Sequence, residues 1–151
     1  MSKVIRALLA MVVPAMLITG ASAANAAPVL LPAEVGCNSF TSVSLNGRYF
    51  LHVPSVGSGS YNFNCVLARG HNNIGVLALQ ESLNACYQQG IAADSDFGGN
   101  TERAVKNAQA RINHPDVDVD GRFGPITSFH FMFQAYDHWN GGAHTGWCAR
   151  R

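Results

Sequence analysis

The rhythm of apolar positions changes several times along the chain, and each change marks a different element. Residues 7–18 are a nearly unbroken apolar run behind Lys3 and Arg6, closed by Ala21-Ser22-Ala23 and Ala24-Asn25-Ala26. This is the layout of a secretory signal. About 12 apolar residues, interrupted by Pro14, fall short of the roughly 20 that cross a bilayer, so a signal within residues 1–26 is expected to be removed on export, by cleavage after Ala23 or Ala26. Residues 42–45 and 48–53 flank Asn46-Gly47, which suits a type I′ hairpin turn because both central residues there need positive φ. Gly57-Ser58-Gly59-Ser60 makes residues 55–64 a turn-rich connection.

From residue 75 the spacing becomes helical: Val76, Leu79, Leu83 and Cys86 or Tyr87 share a face, and Gly90 stops the run. A second helix over 99–112 turns Ala104, Val105, Ala108 and Ile112 inward and ends before His114-Pro115. A third is expected over 125–138. Shifting the second helix by 26 residues puts His130, Phe131, Gln134 and His138 on its core face, whereas the residues themselves favour Phe129, Met132, Phe133 and Tyr136. A helix apolar on both faces is buried on more than one side, so it should pack the other helices and the Tyr49-Phe50-Leu51 hairpin. The tail, 139–151, is too rich in glycine for a helix, and a tethered loop is expected, its Trp139 and Trp147 covering the third helix.

Between the helices the chain repeats itself. Residues 91–101 and 117–127 match at an offset of 26: Asp94 returns as Asp120, Phe97 as Phe123, Gly98 as Gly124 and Thr101 as Thr127. Such a period points to a duplicated supersecondary unit. In each copy an Asp-centred turn should drop a phenylalanine into the core just ahead of a helix. Pro125 suits a first helical position, and the threonine hydroxyls can accept otherwise orphaned helix amides.

The 151-residue chain has a formal charge of +1, and without Lys3 and Arg6 eight basic residues face nine acidic ones. No polyanion-binding field results, which excludes nucleic acid as an expected partner. The mature chain is one domain's worth. Cys37, Cys65, Cys86 and Cys148 in an exported chain predict two disulfides, with three connectivities open. The preferred pairing is Cys65 with Cys86 and Cys37 with Cys148, tying the lead-in segment to the first helix and the two ends together.

The motifs Leu67-Ala-Arg-Gly70, Val76-x-x-Leu79-Gln80-x-x-Leu83, Phe97-Gly98-x-x-Thr101-x-x-Ala104-Val105-x-x-Ala108-Gln109 and Asp120-Gly121-x-Phe123-Gly124-Pro125-x-Thr127 resemble the bacterial peptidoglycan-binding domain of the three-helix type. The resemblance spans residues 65–138. It implies a mainly α fold, an orthogonal three-helix bundle with a duplicated helix-turn unit, plus a small N-terminal β-hairpin extension. The domain plan is then a signal peptide (1–26), the hairpin extension (27–64), the peptidoglycan-binding-like domain (65–138) and a disulfide-tethered tail (139–151). Ser95-Asp96 replaces the family's Asp-Gly in the first turn, and His130 replaces a small residue in the third helix.

What the resemblance implies functionally is non-catalytic binding of peptidoglycan, glycan strand or stem peptide, by a secreted, wall-associated monomer. The ligand offers sugar hydroxyls, apolar sugar faces and carboxylates. Candidate binding residues are Arg103 and Arg122 for carboxylates, Asp94, Asp96 and Asp120 for hydroxyls, and Tyr136 for stacking. Each aspartate also suits a turn cap. Neither metal nor cofactor is expected. Asp116, Asp118, Asp120 and Gly121 spell the first half of a calcium loop, but its twelfth position is Thr127. His130, His138 and His144 lack zinc-site spacing, and there is no nucleophile elbow. The alternatives are a secreted protein-interaction or hydrolase-targeting module on the same fold, and a small wall hydrolase.

Overall fold

The computed structural model describes residues 33–151; the expected signal peptide lies outside them. The order is β1 (Ser39–Ser44), β2 (Tyr49–Ser55), α1 (Ile74–Tyr87), α2 (Gly99–Ile112), α3 (Pro125–His130), β3 (Phe133–Asp137), a 3₁₀ turn (His138–Asn140) and β4 (Ala143–Ala149). The strands form one antiparallel sheet in the order β1-β2-β3-β4. The mainly α three-helix bundle is therefore corrected to an α+β fold in which α1 lies against all four strands.

The first two helices form as their apolar spacing predicts. Asn73 caps α1, its Oδ1 accepting from the amides of Gly75 and Val76, and Gln88 ends it in the left-handed region, ahead of Gly90. Val76, Leu79, Leu83 and Tyr87 of α1 are buried with Ala104, Val105 and Ala108 of α2. Phe97 and Phe123 are both interior. The hairpin also forms, but not through a type I′ turn: Gly47 alone takes positive φ, at 80°. Asn46 instead uses its side chain, whose Oδ1 accepts from the amides of Arg48 and Tyr49.

The third helix stops at His130, and Phe131, with φ −80° and ψ 145°, turns the backbone into a strand. Residues 133–137 then pair with the hairpin they were expected to touch only through side chains: Leu51 opposite Ala135, Phe50 opposite Tyr136 and Tyr49 opposite Asp137. A helix there would have left the inner edge of β2 without backbone partners, a cost that strand pairing removes. The strand also buries bulk on both sides, with Phe133 and Ala135 in the main core and Gln134 and Tyr136 enclosed on the other face. Phe129, expected to point inward, is 61% exposed.

The tail becomes β4 instead of a loop, and Trp139 and Trp147 are exposed rather than covering a helix. The disulfides are Cys37–Cys65 and Cys86–Cys148, which overturns the preferred pairing. Cys37 donates its amide to the Val66 carbonyl beside the bridge between Gly36 and Val66, so backbone pairing sets Cys37 next to Cys65. Cys86, near the end of α1, meets Cys148 because β4 lies against that helix.

Candidate functional site

Each Asp-centred turn is clamped by a glutamine from the helix before it. Gln80 Nε2 donates to Asp94 Oδ1 (2.9 Å), the Asp96 carbonyl (2.9 Å) and Thr101 Oγ1 (3.1 Å), while Oε1 accepts from the amides of Asp94 and Ser95. Gln109 Nε2 donates to Asp120 Oδ1 (3.0 Å), the Arg122 carbonyl (2.9 Å) and Thr127 Oγ1 (3.2 Å), while Oε1 accepts from the Gly121 amide. Both side chains are buried, where losing a partner costs about 1–3 kcal/mol per unsatisfied group. The threonine hydroxyls serve these clamps, and no side chain caps α2 or α3 at Gly98 or Gly124.

The six residues singled out from the sequence fall in several places. Asp94 and Asp120 are Asx turns, each Oδ1 accepting the amide two residues on, from Asp96 and Arg122. The Asp96 amide and then the Gln80 side chain hold the Asp94 carboxyl below its ordinary range. Asp96 presents its carboxylate to solvent in the first turn. Arg103 is exposed, donates to Asn100 Oδ1 at 2.7 Å and borders a shallow cavity of about 320 Å³ with Gln89 and Asn107. Tyr136 is buried on the sheet, its hydroxyl donating to Glu81 Oε2 at 2.6 Å and its ring stacked on His52 at 4.0 Å. Burial, then that hydrogen bond, pushes its phenol well up.

Asp120 and Arg122 do share a cavity, of about 160 Å³, with Val66, Ile126 and Thr127; Arg122 also pairs with Glu34. Next to it lies a larger cavity of about 550 Å³, lined by Asp116, Pro125, Ile126, Phe129, His130 and Arg151. The two share Asp116, Pro125 and Ile126, so they form one furrow along α3. Ile126 and Phe129 expose apolar surface in it. Arg122 and Arg151 supply guanidinium groups, the latter resting over the Phe63 ring at 4.5 Å. Arg151 had no sequence signal as a furrow residue; for Phe129 the 26-residue shift, which leaves it off the core face, was the reading that held.

For metals, Asp116, Asp118 and Asp120 line the smaller cavity, but Asp120 Oδ1 is committed to Gln109 and the Arg122 amide. His130 lies beside His114 and Asp116, not with His138 and His144, which belong to the 3₁₀ turn and β4.

Residues 72–128 match the family model of the peptidoglycan binding domain. The match runs from the residue before the cap of α1 to the fourth residue of α3 and stops just short of the point where the chain leaves the helical path. No curated protein and no solved structure gives a significant match.

Proposed function

We propose that the protein is exported and binds cell-wall peptidoglycan non-covalently, as a monomer without an active site of its own, through the furrow along α3. The observation that supports this most is that the matched segment, a binding domain by family, borders a groove whose chemistry suits such a ligand. Ile126 and Phe129 offer apolar surface for sugar faces, and Arg122 and Arg151 offer forked donors for stem-peptide carboxylates. The Oδ2 of Asp120 is left for a sugar hydroxyl. Two disulfides among the described residues suit an oxidising, extracellular setting.

Sedimentation with insoluble peptidoglycan tests the reading. The oxidised protein is expected in the pellet, with R122A weakening binding by about 1.5 kcal/mol, roughly tenfold, through loss of a charged hydrogen bond. Protein that stays in the supernatant overturns wall binding, and release of soluble wall fragments overturns the non-catalytic assignment.

A further inference from the structure

We propose that His114, Asp116 and His130 form a binding site for a divalent transition-metal ion, for which Zn²⁺ is the best-suited occupant. Each contributes a donor atom within 4.8 Å of the other two. They come from two places in the chain: the turn after α2 carries His114 and Asp116, and the last residue of α3 is His130. The imidazole rings stack at 3.8 Å with a 26° tilt, and His114 Nδ1 lies 3.7 Å from Asp116 Oδ2.

A tetrahedral ion with bonds of roughly 2.0–2.1 Å needs donors about 3.3 Å apart, so the three must close by at most about 1.5 Å. Side-chain rotation covers that distance, because Asp116 is largely exposed and both histidines are accessible. The hydrogen bond that His114 Nδ1 would give up is a long one, 3.3 Å, donated by the Asp116 amide. Phe129 stands edge-on to the His130 ring at 5.1 Å and Pro115 stiffens the turn, and the stacked imidazoles must part for their in-plane nitrogens to converge on one ion.

Two imidazoles and a carboxylate select the mid-transition ions over calcium and magnesium, which take oxygen ligands. Asp118 and Asp120 line the adjoining cavity with Asp116, while Glu34 there is ion-paired with Arg122. Three protein donors leave at least one coordination position, which opens on the cavity lined by Asp116 and His130. This inference stands independently of wall binding.

Titration of the tag-free, oxidised protein with Co²⁺ tests it without peptidoglycan. A visible d–d band should saturate at one equivalent and be displaced by Zn²⁺ but not by Ca²⁺. H114N and H130N should each weaken binding by at least about tenfold, the smaller effect seen even for outer-shell partners, while H138N leaves it unchanged. Circular dichroism of each variant separates a lost ligand from a lost fold, and broadening of amide resonances by Co²⁺ should centre on residues 114–116 and 130. Absence of the band, affinity unaltered in a folded H130N, or broadening centred elsewhere overturns the proposal.

Discussion

Ser95 and Gly121 occupy matching corners of the two turns, with φ of 67° and 82°. The left-handed region costs a residue with a Cβ about 1–2 kcal/mol, while glycine's own penalty is the roughly 0.5–1 kcal/mol of chain entropy it gives up. At Gly121 an added Cβ would come within 2.8 Å of Glu102 Cγ and Lys106 Cε, displacing the side chains that ion-pair across α2. The two corners should therefore answer opposite substitutions with opposite signs. In urea unfolding, S95G should raise stability by about 0.5 kcal/mol and G121A lower it by about 2 kcal/mol. Changes of the same sign would refute the assignment of strain to the first corner. The Asp-turns themselves were legible because the carboxylate and the residue two places on are sequence neighbours. The glutamine clamps were not, since Gln80 and Gln109 reach 14 and 11 residues forward, to Asp94 and Asp120.

At the scale of elements, α1 and α2 were legible because a local 3.6-residue period survived packing, and residues 99–112 form a helix as expected. Residues 131–137 were not, because a run such as Phe-Met-Phe-Gln-Ala-Tyr satisfies a two-residue period as well as a helical one. They pair instead with the open edge of β2, more than eighty residues earlier in the chain, and the Arg48 guanidinium adds a hydrogen bond of 2.6 Å to Asp137 at the end of that register. The furrow lies beside this turning point, since Phe129 and His130 are the last two residues of α3. The Cys86–Cys148 link was missed because β4 was not foreseen, and Cys37–Cys65 because the bridge between Gly36 and Val66 joins segments that carry no strand pattern. Loop-closure entropy gives about 4 kcal/mol for the 62-residue Cys86–Cys148 link and about 3.5 kcal/mol for the 28-residue Cys37–Cys65 link. Replacing Cys86 and Cys148 by serine should therefore cost slightly more in denaturant unfolding, and should open residues 138–149 to protease first. Non-reducing peptide mapping that joined Cys65 to Cys86 would contradict this topology.

For the whole molecule, the carboxylates that join distant segments make stability depend on pH in one direction. Asp137 is held below its ordinary range chiefly by the hydrogen bond from Arg48, Glu102 by those from Lys106 and Arg69, and Asp94 by its turn. A depressed folded pKa gives stability that is present above the unfolded values, about 3.9 to 4.3, and lost as pH falls through the folded ones. His52 acts earlier. Desolvation lowers its pKa, opposed by Glu81 and reinforced by His144, so below about 6.5 the unfolded chain takes up a proton that the folded sheet refuses. Stability should be level from pH 7 to 8, begin to fall gently below about 6.5, and fall further below about 4. The histidine sits stacked between Phe40 and Tyr136, so H52F keeps an aromatic ring in the row while removing the proton site. Chemical denaturation across this range should show the first fall shrink in H52F with the second intact; an unchanged slope just below 6.5 would mean that the half-buried imidazole does not couple to folding.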